Sequence, residues 1–458
     1  MNRAPLEKSL SLLIALSVFS ANVAYAELPP RTCSAAMKPT ESTPGPSAIS
    51  RAELDKSTFL EDATVKDQGY TGCCWLSSTL GGWERMAKAK FGAEVALDEN
   101  YAIMASLAYN VKEAVYYGIE VSEGGLPEAG DWMAMHIGVV PETGVKWKKD
   151  LRAKGVSEDI YRRLNEKVEK FQIDLAALKA KGANDKQAFD FANKTLIDID
   201  KALRDEVGSF PAEFEFKGKK YTPHSFAQEI GASEKDWVRH EYTLPEKDRF
   251  APAPPKADKK DGAPPPPKVT EDGSLLSLYP DVWKHFPISS DKLSQKDPPT
   301  VDIMRYLLFG RSRVIGFATS EVSYPAMYEA IDKSLKRGQA VYLGFDVIEQ
   351  FFKNETGVIS IGAFKATAAD VAKAASDGGH AVLITGVYRD ASGEVLGFRI
   401  QNSWGPKAGN MGYYYMDRDY FERYMHSLVV REPPGTKTNF KPYRVTKPHV
   451  PTESDRPN

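Results

Sequence analysis

The chain has 458 residues, 42% of them hydrophobic and 27% charged, with a formal net charge of -2. That length admits one large domain or two, and the composition suits a soluble globular protein. A near-neutral balance gives no electrostatic footprint for nucleic acid, and Cys33, Cys73 and Cys74, the three cysteines present, lack zinc-like spacing, so neither metal nor cofactor is expected.

The first 26 residues read as an export signal. Arg3 and Lys8 give a basic start, Leu10 to Phe19 is an apolar run, and Ala24-Tyr25-Ala26 supplies a small-residue cleavage pattern before Glu27. The apolar run is short for a membrane span. The expected location is therefore a bacterial periplasm or the exterior, with no stable membrane insertion once the signal is removed. An odd number of cysteines in an exported chain leaves at least one thiol unpaired.

Residues 27–60 are rich in Pro, Ser, Thr and Ala and read as a flexible lead-in. Next comes Asp67-Gln68-Gly69-Tyr70-Thr71-Gly72-Cys73-Cys74-Trp75, a glycine-broken loop running into a helix. From Leu76, the residues Leu80, Trp83 and Ala87 recur at helical spacing and predict a buried face. Cys74 then lies in the first turn, where free N–H groups and the helix dipole favour a thiolate. Gln68, six residues upstream, offers an amide donor for a developing oxyanion.

Leu97 to Val115 is expected to be helical, Ser122-Glu123-Gly124-Gly125-Leu126-Pro127 a loop, and Trp132 to Val140 an apolar helix or strand. Residues 157–207 predict a helical hairpin: Leu164, Val168, Phe171, Leu175 and Leu178 on one arm, Ala192, Leu196, Ile199 and Leu203 on the other. Gly182 breaks the run and Asn184 is the N-cap. The charged residues between them form a solvated face. Residues 251–268, with Pro264-Pro265-Pro266-Pro267, read as an extended surface spacer.

A helix around Met327, Ile331 and Leu335 precedes a buried strand, Ala340 to Val347. From His380 the chain turns to strands: Ala381–Tyr388, Gly397–Ser403 and Met411–Met416. A short helix over Asp419–Met425 and a last strand, Leu428-Val429-Val430, follow. Beyond residue 432 the tail is rich in Pro and Lys.

A thiol nucleophile needs a base, and the base an orienting group. Of seven histidines, only His380 stands at the mouth of a strand, after Gly378-Gly379. Phe398, Ile400 and Asn402 share a face of a later strand, so Asn402 is a polar group aimed inward that requires a partner. An imidazole N–H is a natural one, and Trp404 can cover the contact. The roles are then Cys74 as nucleophile, His380 as proton acceptor and donor, Asn402 as the group fixing the ring tautomer, and Gln68 with the Cys74 N–H as oxyanion donors.

Gln68-Gly69, Gly72, Cys74-Trp75, His380-Ala381-Val382 and Asn402-Ser403-Trp404-Gly405 resemble the papain superfamily of cysteine peptidases. Thr71 stands where the family signature has its first cysteine. With Tyr221-Thr222-Pro223-His224-Ser225-Phe226, the segment Gly338 to Val347 and Met416 to Phe421, this resembles the bleomycin hydrolase and aminopeptidase C branch. The resemblance covers most of residues 60 to 432. It implies an α+β, two-lobed fold over 61–432, with a helical lobe bearing Cys74 and a β-rich lobe bearing His380 and Asn402; the hairpin at 157–207 is then a helical insertion in it, and 433–458 a tail. Gly124-Gly125 resembles the substrate-lining glycine pair; Ala129-Gly130-Asp131-Trp132 is the alternative, resembling the branch's Gly-Gly-x-Trp segment instead. The activity implied is hydrolysis of peptide or protein substrates by a Cys-His-Asn triad. A papain-fold binding protein without turnover and a thioester-forming acyl transferase are the alternatives. The branch implies a homo-oligomer with a C-terminal arm in the cleft, which this tail does not resemble.

Overall fold

The computed structural model describes residues 56–231 except 119, residues 238–243 and 318–433, and the single positions 275, 304 and 308. The export signal, nearly all of the lead-in, the Pro-rich segment 251–268 and the tail beyond 433 lie outside the described residues.

The first half is helical. Its helices are α1 (Cys74–Phe91), α2 (Glu99–Tyr117), α3 (Pro127–His136), α4 (Val156–Ala180), α5 (Asp185–Glu206) and α6 (Pro223–Ile230). Three of them have a visible cause at their start. Asp98 caps α2 through Tyr101 N–H, Pro127 opens α3, and Asn184 with Gln187 forms a capping box on α5. The predicted hairpin is thus α4 and α5, broken at Gly182, which takes φ +79°. Both arms pack on α2, and their inward residues belong to the main helical core. The hairpin is an integral layer of this lobe.

Among the described residues, the other lobe is a ten-stranded, mostly antiparallel sheet, built mainly from the second half of the chain. Its strands are β1 (Thr58–Phe59), β4 (Val238–Thr243), β5 (Ala318–Glu321), β6 (Val341–Asp346), β7 (Phe352–Lys353), β8 (Val358–Ile359), β9 (Gly379–Arg389), β10 (Val395–Gln401), β11 (Tyr413–Asp417) and β12 (Met425–Glu432); β2 (Phe214–Phe216) and β3 (Lys219–Tyr221) form a separate hairpin. The order is β5-β4-β12-β6-β9-β10-β11-β8-β7, with β1 extending the β6 edge of β9. Helices α7 (Tyr324–Lys336) and α8 (Arg418–Tyr424) pack on this sheet over its own core, which includes Phe345, Ile384, Phe398 and Phe421. The expected α+β, two-lobed arrangement is what the chain adopts. Of Trp132 to Val140, open between helix and strand in the sequence, residues 132–136 end α3 and 137–140 follow it outside helix and strand.

Helix α1 lies directly against β9 and β6. Gly81 and Gly82 make that approach possible. A Cβ at Gly82 would stand 2.7 Å from the Tyr342 hydroxyl, and one at Gly81 3.1 Å from Leu383. Glycine inside a helix costs about 1 kcal/mol against alanine, so close contact with the sheet is what it serves. The N-terminus of α1 therefore ends beside the start of β9.

A buried ion pair fastens the two lobes. Arg431 of β12 donates to Asp131 of α3 at 2.9 Å and to the Tyr342 hydroxyl. Asp131 also accepts from Trp83 Nε1 at 2.8 Å and from the Tyr342 hydroxyl at 3.1 Å. Strand β12 extends past the three residues expected of it because Arg431 and Glu432, which look like tail residues in sequence, are buried.

Candidate active site

The loop before α1 is laid along the segment after β10. Gln68 N–H donates to Ser403 O at 2.8 Å, and Gly405 N–H to Lys66 O at 2.9 Å. The loop closes on itself: the N–H and hydroxyl of Thr71 donate to Gln68 O, at 3.3 and 2.7 Å. Gly69 takes φ +61°, and a Cβ there would run into the Arg152 backbone. The buried Gln68 side chain is held at both ends. Its Nε2 donates to Thr71 O at 2.7 Å, and its Oε1 accepts from Ser403 Oγ at 2.6 Å.

Cys74 is the first residue of α1, as expected, and is half-buried. The expected thiolate does not follow from helix position alone. Burial pushes the thiol above its ordinary value, and the backbone amides of Ala381, Trp75 and Cys74 only partly oppose it. Desolvation outweighs the helix end here. Cys73 is fully buried, pushed well above the ordinary thiol value by burial and by Glu123; both thiols are free.

His380 is the second residue of β9, in register with Phe345 of β6. Phe345 meets its ring edge-on at 5.7 Å and Trp404 stacks on it at 5.0 Å. Burial lowers its pKa to about 4, with the hydrogen bond to Asn402 pulling the other way. The ring is thus neutral at pH 7.

Asn402 follows the end of β10. Its Oδ1 lies 2.7 Å from His380 Nε2 and accepts Ser403 N–H at 2.8 Å. A backbone N–H can only donate, so that atom is the oxygen. His380 Nε2 must then carry the ring proton, and Nδ1 is left as the basic nitrogen. The thiol sits by Ala381, the residue after His380. Gln68, Cys74, His380 and Asn402 are therefore brought together from three separate stretches.

Gly124 and Gly125 lie in the loop before α3, where a Cβ on Gly125 would strike the Trp75 indole. The other candidate stretch, Ala129 to Trp132, is inside α3; Gly130 packs on Thr79 of α1. Sequence reasoning missed Glu123. Its carboxylate is buried and accepts from Gly72 N–H at 2.6 Å and from the Ser157 hydroxyl, and its carbonyl accepts Trp75 Nε1 at 2.9 Å. An acidic residue in a glycine loop carries no sequence signal that it is buried. Among the described residues, no group of His, Cys, Asp and Glu could hold a metal ion, and no helix is long and apolar enough to cross a membrane.

The peptidase C1-like family model matches residues 311–446. Aminopeptidase E of Lactobacillus helveticus is 34% identical over 109 residues, 21% of this chain and 24% of that protein. Aminopeptidase C of Listeria monocytogenes is 21% identical over 403 residues, 80% of each chain. The chain thus spans about a quarter of the length of Aminopeptidase E in that match. The crystal structure of pepW from Lactobacillus rhamnosis superposes with a TM-score of 0.57 at 17% identity, over 81% of both chains.

The fold is papain-like. Within it the similarity runs to aminopeptidases of the C type, in agreement with the resemblance read from the motifs. The papain-like frame accounts for the placement described above: a helix end from one lobe facing a strand start from the other.

Proposed function

We propose that this chain is a cysteine peptidase that hydrolyses peptide bonds through Cys74, His380 and Asn402, with Gln68 as an oxyanion donor. The observation that carries the reading is the shared Asn402 Oδ1 atom: it assigns the ring proton to Nε2 and leaves His380 Nδ1 to take the thiol proton.

The step sequence follows. His380 Nδ1 accepts the Cys74 proton as sulfur attacks the substrate carbonyl carbon. Charge gathers on the carbonyl oxygen, where the Cys74 N–H and the second N–H of the Gln68 amide can meet it. Each such donor contributes on the order of 3 kcal/mol to the transition state. The imidazolium then returns its proton to the leaving amine, and the acyl group stays on sulfur as a thioester. Water, deprotonated by the same nitrogen, releases the acid and restores the thiol. Burial disfavours a charged thiol and a charged ring separately, so the two charges arise together or not at all.

Gly124 and Gly125 give the substrate backbone a side-chain-free approach beside Trp75. The names of the relatives favour removal of residues from the amino end. Export from a bacterial cytoplasm by residues 1–26 completes the reading. The test is a thiol-reactive peptide probe with mass-spectrometric mapping, alongside turnover of a mixed peptide library. Adduct on Cys74 and cleaved products, both lost in Cys74→Ser, are expected. No adduct and no cleavage would overturn the assignment.

A further inference from the structure

The peptide unit joining Thr71 to Gly72 is gripped at both ends. Its carbonyl accepts Gln68 Nε2 at 2.7 Å, and its N–H donates to Glu123 Oε2 at 2.6 Å. The other carboxylate oxygen of Glu123 accepts the Ser157 hydroxyl at the start of α4. The Glu123 carbonyl accepts Trp75 Nε1, one residue past the thiol, at 2.9 Å and lies 3.9 Å from Cys73 Sγ. One residue thus touches the loop on both sides of Cys74.

We propose that Glu123 is a positioning residue that aims the Gln68 amide by orienting the Thr71–Gly72 peptide. This rests on the reading of Gln68 as an oxyanion donor. A carboxylate accepting a peptide N–H fixes the plane of that peptide. It also polarises the unit, so that the carbonyl at the far side holds its own donor more strongly. The Gln68 amide has two N–H groups. With one committed to Thr71 O and Oε1 held by Ser403, the direction of the second is set. Glu123 is itself set by Ser157, so α4 reaches the Gln68 amide through three hydrogen bonds in series. Burial raises the Glu123 carboxyl above its usual range, with Ser157 and Gly72 opposing the rise, as expected of an acceptor working inside the protein.

The test separates chemistry that needs an oxyanion donor from chemistry that does not. Hydrolysis of a peptide substrate passes through a tetrahedral oxyanion; alkylation of Cys74 by iodoacetamide is a direct displacement and does not. In Glu123→Gln, kcat is expected to fall about tenfold with KM within about twofold, while alkylation stays within about twofold. In a Gln68→Ala background the same substitution should change kcat less than about twofold, because the group it aims is gone. Ser157→Ala, which keeps the carboxylate but removes its anchor, should show the same split at about threefold, and serves if Glu123→Gln fails to fold. A parallel fall in kcat and alkylation, no change in either, or an equal loss in the Gln68→Ala background would overturn the proposal. Wild-type protein that alkylates at Cys74 but hydrolyses nothing would overturn the peptidase reading and this proposal with it.

Discussion

His380 Nε2 and the Ser403 N–H converge on one oxygen of Asn402, at 2.7 and 2.8 Å. Replacing Asn402 by Ala leaves two buried donors without an acceptor. Each is worth about 1–3 kcal/mol when orphaned, so Asn402→Ala should lower stability by a few kcal/mol in urea unfolding. It should also lower kcat more than tenfold by freeing the ring to carry its proton on either nitrogen. Unchanged stability with unchanged kcat would remove Asn402 from the site.

The low His380 pKa makes stability depend on acidity in a defined window. The group has a folded value of about 4 against an ordinary 6.5. Between these, the unfolded chain binds the proton and the folded one does not, so stability falls as pH drops from about 6.5 to about 4. Some 2.5 pK units correspond to roughly 3 kcal/mol. Urea midpoints of wild type and His380→Gln, compared from pH 7 to 4, should show this slope only in the wild type. Parallel curves would contradict the burial of a neutral ring.

Removing the ring tests the thiol in turn. With its partner gone, Cys74 is governed by burial, which raises it above the ordinary thiol value near 9.0. In His380→Ala, iodoacetamide should therefore react with Cys74 slowly near pH 6 and speed up only above about pH 9, while the wild type reacts well below that. Coincident pH profiles would show that His380 does not share the thiol's proton.

Trp404 stacks on His380 at 5.0 Å and shields it from water. Trp404→Ala should let solvent in and move the ring's pKa up from about 4 toward 6.5. A histidine NMR titration reads this directly; an unmoved midpoint would assign the desolvation to Phe345 and the strands alone.

Neighbouring glycines in α1 should respond differently to Ala. At Gly82 the new Cβ meets the Tyr342 hydroxyl at 2.7 Å, and that hydroxyl is already bonded to Asp131. Overpacking costs of roughly 1–3 kcal/mol exceed the helix-propensity gain of about 1 kcal/mol, so Gly82→Ala should lower Tm. At Gly81 the contact is a terminal methyl of Leu383 at 3.1 Å, which can give way, and Gly81→Ala should be near neutral. Equal effects would mean that the helix does not bear on Tyr342.

The parts of this molecule that were legible from sequence are those in which chemistry or periodicity limits the residue type. Leu164, Val168, Phe171 and Leu175 announce α4 by spacing, and Asn184 announces the start of α5 by its capping side chain. Cys74, His380, Asn402 and Gln68 stand out because each type at its place calls for a partner. Glu123, Asp131 and Arg431 do not stand out. A charged residue looks the same in sequence whether it faces water or is buried against a counter-group, and only the packing of two distant segments decides between them. Gly81 and Gly82 are silent for a similar reason: what they avoid belongs to strands more than 250 residues later.

Strand β12 lies between β4 and β6, inside the sheet, although it is the last strand in the described chain. It also brings Arg431 to Asp131 beneath α3. A nascent polypeptide emerging from the ribosome therefore has to hold its helical half and most of its strands unfastened until nearly all of it has been made. A product truncated before residue 431 would lack the seam that joins the halves, and so would carry the Cys74 sulfur without a finished cleft around it.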